Sequence, residues 1–291
     1  MVIGIIIDFV VTFLACFIIY KCINTLQRPS LKTIFKSVGL GLLAITISLV
    51  LNTLFDLLIG KGLDGLFEKL MDILPITGFI SRLIDLFFRE VLIFVIIEEV
   101  AKYFLFNYLW NNGNLNLKSP LQTALIFVVV GATFSFLEDV TYILRGTAPY
   151  VRILSTISGH LTYALIYSHF FSKEVVRSKA MYKMDEYLTL LKQPVGTPNR
   201  YRTNQKYLFK GFLLSVAVHF GHNLLATLLM NVNIIGTIIV WTEVLVLTVF
   251  FIIKLRKMIR VDVSYDTLVE RKIFTDFPKL KDILIRINKL D

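Results

Sequence analysis

The chain has 291 residues, of which 56% are hydrophobic, and its mean hydropathy is +0.70. A soluble domain carries a smaller apolar share, so the composition excludes an ordinary water-soluble protein. The formal net charge of +10 comes from Lys and Arg that lie between apolar segments and in the C-terminal part. This distribution is typical of a membrane protein and argues against nucleic-acid binding.

Seven apolar segments approach the length of about 20 residues that a helix needs to cross the hydrocarbon core of a bilayer. The predicted spans are 2–20, 37–59, 89–109, 121–144, 150–171, 208–231 and 233–253. The predicted fold is therefore an all-α, polytopic transmembrane helical bundle. The first segment has neither a basic residue before it nor a small-residue cleavage site, so we interpret it as a retained span. Cys16 and Cys22 lie about 9 Å apart along this helix, too far for a disulfide.

Basic residues between the spans predict the orientation. Lys and Arg cluster in 21–36, in 173–210 and after residue 253. With seven spans these three stretches lie on one side of the membrane, which the positive-inside rule makes cytoplasmic. The N-terminus is then outside and the C-terminus cytoplasmic.

Two stretches are neither spans nor simple loops. Residues 61–86 carry apolar side chains at helical spacing, which predicts an amphipathic helix at the outer interface. The polar stretch 173–207 predicts a cytoplasmic helix followed by a loop. The expected division of the chain has four parts: two N-terminal transmembrane helices in 1–60, an outer-face amphipathic segment in 61–88, a membrane core in 89–253 with the cytoplasmic loop 173–207, and a basic cytoplasmic tail in 254–291.

Ionisable side chains interrupt four of the spans. They are Glu98, Glu99, Lys102, Glu138, Asp139, His160, His219 and His222. A charge at mid-bilayer costs about 2.5–3.5 kcal/mol on insertion scales, so such residues indicate a functional site by default. At about 1.5 Å per residue, the span positions put Glu98, Glu138, His160 and His219 about 9–18 Å below the outer ends of their helices. Four helices thus contribute polar groups to one slab of the membrane.

The carboxylates outnumber the one buried lysine, so they must share protons, pair or hold a cation. Lys102 stands four residues after Glu98, the favourable spacing for an intrahelical pair. His and carboxylate ligands around a polar cavity suit Zn²⁺ with one open position for water. Without a metal the same groups could carry out general acid–base catalysis. The structural alternatives are a salt-bridged plug that stabilises the bundle and, for His219 and His222, interhelical hydrogen bonds. Structural roles are assigned to three further acids without an evident partner, Asp8, Asp56 and Glu243.

Four motifs in order resemble the PrsW family of intramembrane proteases, within the superfamily that includes the CAAX prenyl proteases. IIEEVAKYF resembles EExxK, FSFLED resembles FxxxE, SGHLTYAL resembles the third motif and HFGHN resembles HxxxN. The matching residues are Glu98, Glu99, Lys102, Phe134, Glu138, His160, His219 and Asn223. The resemblance covers about 90–230. The sequence departs from the family at Asp139, where Asn is frequent, and at His222, where an aromatic residue is more usual.

The resemblance implies that the chain is an intramembrane endopeptidase and that the membrane core 89–253 is its catalytic part. Its substrates would be single-span membrane proteins or peptides, such as an anti-sigma factor, cleaved near the outer side of the membrane. The implied catalytic residues are Glu98, Glu99, Lys102 and Asn223, and the implied metal ligands are Glu138, His160, His219 and His222. One of the two adjacent glutamates activates water, with Glu98 preferred, Lys102 tunes it, and Asn223 stabilises the oxyanion. The expected cofactor is Zn²⁺.

The expected location is the bacterial cell membrane, with anionic lipid at the cytoplasmic face and no nucleic-acid partner. Two other functions are consistent with the buried charges. A proton-coupled transporter uses buried acid–histidine chains, although the sequence has no evident inverted repeat. A non-catalytic immunity or scaffold protein would keep the protease fold without its activity.

Overall fold

A computed structural model describes residues 2–55, 57–58, 69, 93–111, 117–146, 157–191, 206–229 and 234–280. Eight α-helices of 12 residues or more occur within them: α1 Val2–Cys22, α2 Leu31–Phe55, α3 Phe94–Asn111, α4 Pro120–Leu144, α5 Thr162–Leu190, α6 Lys206–Leu229, α7 Ile234–Arg260 and α8 Tyr265–Asp276. No strand occurs in these residues. The prediction of an all-α fold is confirmed.

Among the described helices, five are long and apolar enough to cross a membrane, namely α1, α2, α4, α7 and the part Lys206–Ala226 of α6. The expected spans 89–109 and 150–171 correspond to α3 and α5, which are not among these five. In α3 the three charges of Glu98, Glu99 and Lys102 exceed what an apolar span carries. The count of seven spans and the orientation stay predictions.

Helix α5 extends well beyond the predicted span 150–171. It begins at Thr162 and continues for 29 residues to Leu190, so the helix expected at the start of 173–207 is continuous with the one before it. The loop expected after this helix falls on residues 192–205, which lie outside the described part of the chain. The expected amphipathic segment 61–86 also lies outside it, apart from residue 69. The four-part division of the chain also stays a prediction.

Helix α4 is the central element and is buried along nearly its whole length. Ser119 caps its N-terminus by accepting a hydrogen bond from the Gln122 N–H at 3.2 Å, and Pro120 follows in the first turn, where its missing N–H costs nothing. α4 packs against α1, α2 and α5. Glycines allow the closest approaches: a Cβ at Gly41 of α2 would lie 2.5 Å from Thr133, and one at Gly131 would lie 2.8 Å from the carbonyl oxygen of His160.

The C-terminal helix α8 packs on the bundle. Tyr265 is fully buried at its first turn, and its backbone N–H donates to the Lys118 carbonyl at 2.8 Å. The Tyr265 hydroxyl donates to Ser172 of α5 at 2.9 Å and is hydrogen-bonded to Thr123 of α4 at 2.7 Å. The predicted tail 254–291 therefore begins as the end of α7 and continues as a helix anchored to α4 and α5.

Candidate active site and metal centre

The structure brings together ionisable side chains from four elements: α3, α4, the π-helical turn Ile157–Leu161 that precedes α5, and α6. The residues are Glu98, Glu99, Lys102, Glu138, His160 and His219. All are largely buried. The sequence predicts that these parts of the chain carry ionisable residues at similar depths in the membrane.

The π-helical turn positions His160. Gly159 has φ −82° and ψ −114°, which interrupts the helical backbone directly before the histidine. Because Gly131 has no side chain, α4 approaches the His160 backbone closely. π-type turns of this kind occur frequently at functional sites. The local backbone therefore delivers the His160 ring to α4 at the level of Glu138.

Glu99 connects α3 to α6. Its Oε1 accepts a hydrogen bond from Lys102 Nζ at 2.5 Å and lies 3.0 Å from His219 Nδ1. The expected pair of Lys102 with Glu98 is wrong. Lys102 pairs instead with Glu99, three residues earlier, whose carboxylate lies on the side of α3 that faces α6. A carboxylate accepts only, so Nδ1 of His219 is the protonated nitrogen and Nε2 is left able to accept or to ligate.

Lys102 also contacts His160. Its Nζ lies 3.1 Å from His160 Nδ1 and 4.5 Å from the centre of the Phe134 ring. An ammonium group only donates, so Nδ1 accepts and the opposite nitrogen, Nε2, donates to Glu138 Oε2 at 2.8 Å. Lys102 thus contacts His160 directly and is connected to His219 through the Glu99 carboxylate. The face of the Phe134 ring stabilises the charge of the ammonium group.

Glu98 faces a different group from Glu99. Its Oε2 lies 3.8 Å from His219 Nε2, the nitrogen that Glu99 leaves unprotonated. One ligand atom each of Glu98, His160 and His219 lie within 4.8 Å of one another. Two imidazoles and a carboxylate are a usual ligand set for catalytic Zn²⁺, so the donor chemistry fits this metal. Ligation through His160 Nε2 requires a proton to leave the Lys102–His160 pair, as metal binding to protonated ligands generally does.

His222 lies beside this group but has another partner. Its Nδ1 is 2.8 Å from Glu243 Oε2, which joins α6 to α7. The sequence shows no evident partner for Glu243, but the structure places His222 beside it. The two residues are 21 positions apart and lie on neighbouring helices, so no helical periodicity in the sequence indicates that they meet.

A cavity of about 30 Å³ opens on the cluster, enough for about one water molecule. Its walls include Glu138, His160, Tyr163, His219, His222 and Asn223. Tyr163 is a residue that the sequence motifs do not single out. Its ring stacks on His219 with centroids 4.5 Å apart, and its buried hydroxyl has no hydrogen-bond partner among the described residues. The nearest signal in the sequence is its position three residues after His160.

A family model described as PrsW family intramembrane metalloprotease matches residues 29–254. The match covers more than half of the chain and includes each of the residues that form the cluster and its cavity. No curated protein and no solved structure matches the chain. The family and the apolar helices indicate an integral membrane protein with protease activity. The chain belongs to the PrsW family of intramembrane metalloproteases.

Proposed function

We propose that this protein cleaves a peptide bond of a membrane protein near the outer side of the bacterial cell membrane, with Glu98, His160 and His219 as the ligands of a zinc ion. The observation that carries the proposal is that ligand atoms of these three residues, from α3, the π-helical turn and α6, lie within 4.8 Å of one another. A zinc ion at this position supplies Lewis acidity, which polarises a carbonyl group and acidifies water.

The two adjacent glutamates then have separate roles. Glu98 is a ligand, because its carboxylate faces the unprotonated nitrogen of His219. Glu99 positions the same ring from the other side through Nδ1, as carboxylates behind metal-ligating histidines do. Lys102 compensates the charge of Glu99. His222 is left out of the proposed ligand set because, among the described residues, the ligand atoms that lie within 4.8 Å of one another belong to Glu98, His160 and His219. Its ring lines the cavity, and its Nδ1 contacts Glu243.

Glu138 is the proposed general base. Its side chain is 21% exposed, compared with 8% for Glu99, and it lines the cavity that has room for a water molecule. The Glu138 carboxylate takes a proton from this water as the water oxygen bonds to the scissile carbonyl carbon. The carbonyl π electrons move to its oxygen. When the C–N bond breaks, Glu138 returns the proton to the leaving amine.

Tyr163 and Asn223 are the proposed donors to the oxyanion. Both line the cavity, and the phenolic O–H of Tyr163 is committed to no other acceptor among the described residues. A donor held in place before the reaction stabilises developing charge without reorganisation. The ring position of Tyr163 is fixed by stacking on His219.

The proposed substrate is a membrane-spanning protein whose cleavage releases a signal, such as an anti-sigma factor. Support for cleavage near the outer face comes from the predicted orientation and from the predicted depth of the four helices' polar residues. A substrate segment must expose its backbone to be cut, which is easiest near the end of a span where water can satisfy the opened hydrogen bonds.

The test combines cleavage of a single-span substrate by protein reconstituted in vesicles with zinc analysis of the same samples. Glu98→Gln should lose both activity and zinc, since a ligand is removed. Glu138→Gln should lose activity, about 10²-fold or more, and keep stoichiometric zinc. Glu270→Gln on the exposed part of α8 is the control. Zinc retained by Glu98→Gln together with full activity of Glu138→Gln would refute both role assignments.

A further inference from the structure

We propose that the end of the bundle opposite the catalytic cluster holds a binding site for the headgroup of an anionic phospholipid. A cavity of about 370 Å³ lies between α5, the first turn of α6 and α8. This volume is in the range of small-molecule sites. The cavity wall residue His169 stands nine residues after His160, about 13 Å further along α5.

The charge of the cavity wall is positive. Lys173, Arg177 and Lys272 line it together with His169, and none of the described lining side chains is acidic. Two of these cations have partners outside the wall: Arg177 donates to Glu174 at 2.7 Å, and Lys272 to Asp276 at 3.4 Å. Lys173 lies 5.3 Å from the centre of the Phe170 ring. The wall therefore carries an excess of positive charge.

Two lysines from α7 extend this charge. Lys254 and Lys257 lie close enough to His169 to interact with it electrostatically, and Lys254 interacts with Lys173. Within the described residues none of the three lysines forms an ion pair with a carboxylate. Like charges gathered at one point repel each other, and a bound anion removes this repulsion.

The apolar part of the wall decides which anion fits. Val176 of α5 and Leu268 of α8 line the cavity beside the cations. A free phosphate ion would leave these side chains in contact with water, whereas a phospholipid places its glycerol and first acyl carbons against them. The basic residues at this end are also those that the positive-inside rule places in the headgroup region of the cytoplasmic leaflet. An anionic lipid matches both halves of the cavity.

The C-terminal helix completes the site. α8 supplies Leu268 and Lys272, and Tyr265 anchors it through Ser172, which itself lines the cavity. Bound lipid would therefore contact both α5 and α8. α5 directly follows the π-helical turn that carries His160. The proposal stands on these contacts and does not depend on peptidase activity.

The experiment is native mass spectrometry of the full chain with equimolar phosphatidylglycerol and phosphatidylcholine. The wild type should retain phosphatidylglycerol preferentially. Lys173→Gln/Lys272→Gln should reduce this preference by about 30-fold, because a lysine near an anionic headgroup contributes about 1 kcal/mol. The control Lys183→Gln/Arg271→Gln removes the same charge from the same two helices outside the cavity wall and should stay within about twofold of wild type.

Four results would overturn the proposal. They are equal retention of the two lipids by the wild type, unchanged preference in the cavity variant, an equal loss in the control, and displacement of the lipid by inorganic phosphate at millimolar concentration. Displacement by inorganic phosphate would mean that the ligand is a free anion. An equal loss in the control would mean that the attraction comes from the charge of the whole surface and not from the cavity. If the double variant does not fold by circular dichroism, Lys173→Gln alone, at an exposed position, carries the test with an expected loss of about fivefold.

Discussion

Glu99 Oε1 lies 3.0 Å from Nδ1 of His219, on the side of the ring away from the candidate metal group. This one contact distinguishes two adjacent glutamates, either of which the family resemblance allows as the residue that activates water, with Glu98 preferred. It assigns the His219 proton to Nδ1 and leaves Nε2 directed toward Glu98. Under the proposed assignment, Glu98 is a metal ligand and the adjacent Glu99 positions a second ligand, His219.

Glu99→Gln should weaken zinc binding about 10- to 100-fold while Glu98 and both histidines are still present. The amide keeps a hydrogen-bond acceptor for Nδ1 but loses the charge that makes the imidazole a stronger ligand. Zinc affinity measured by competition with a chelator checks this. The matched control is Glu243→Gln, which makes the same change at the partner of His222 and should leave zinc affinity unchanged.

Lys102→Met should be strongly destabilising, by about 3–5 kcal/mol, because it leaves the buried Glu99 carboxylate without its cation. Lys102→Met/Glu99→Gln should recover a large part of that loss, since the buried charge is then absent. Thermal unfolding of the detergent-solubilised protein gives the four corners of the cycle. Additive losses in the double variant would mean that the two side chains do not stabilise each other.

Tyr163→Phe should separate activity from stability. The hydroxyl is buried and has no hydrogen-bond partner among the described residues, so its removal should leave the melting temperature unchanged or raise it. If the hydroxyl donates to the oxyanion, kcat should fall about 10²- to 10³-fold with KM little changed. Tyr167→Phe is the control, because its hydroxyl is also buried with no partner in the described part of the chain, and Tyr167 is not among the described lining residues of the cavity. Equal effects of the two variants on kcat would exclude the donor role.

The helical sequence pattern predicts a great deal of this arrangement. Hydropathy identifies the all-α membrane fold, and matched depths identify the four helices whose polar residues meet. The spacing of Glu98 and Glu99 shows that they diverge by about 100°. It does not show which of them faces α6, because the rotation of α3 about its axis is decided by packing against other helices. For that reason the i,i+4 spacing favours Glu98 as the partner of Lys102, whereas the lysine pairs with Glu99.

Other contacts have no local signal at all. Glu243 and His222 meet because α6 and α7 lie side by side, and Tyr163 lines the cavity from the first turn of α5. The sequence predicts a span that ends at residue 171 and a separate cytoplasmic helix from residue 173, because hydropathy changes between them, whereas one continuous helix runs from Thr162 through charged residues to Leu190.

Tyr265→Phe should loosen the C-terminal helix without unfolding the bundle. The change removes hydrogen bonds to Ser172 and Thr123 and leaves two buried hydroxyls with one partner fewer, at a cost of about 1–3 kcal/mol. Limited proteolysis should then cut the segment between α7 and α8 faster than in the wild type. Tyr182→Phe on the exposed surface of α5, where the side chain is 68% exposed, should be cut at the wild-type rate.

Gly131→Ala should reduce both stability and activity through the position of His160. The added Cβ would lie 2.8 Å from the His160 carbonyl oxygen, so α4 and the π-helical turn must separate and carry the His160 ring away from Glu138. Overpacking of this kind costs about 1–3 kcal/mol, against which alanine gains about 1 kcal/mol of helix propensity over glycine. Gly39→Ala is the matched control, since a Cβ there meets nothing within 4 Å, and it should be neutral or stabilising. Cleavage rates and melting temperatures of the two variants decide the matter: a Gly131→Ala protein as active and as stable as Gly39→Ala would show that the close approach of α4 does not position the histidine.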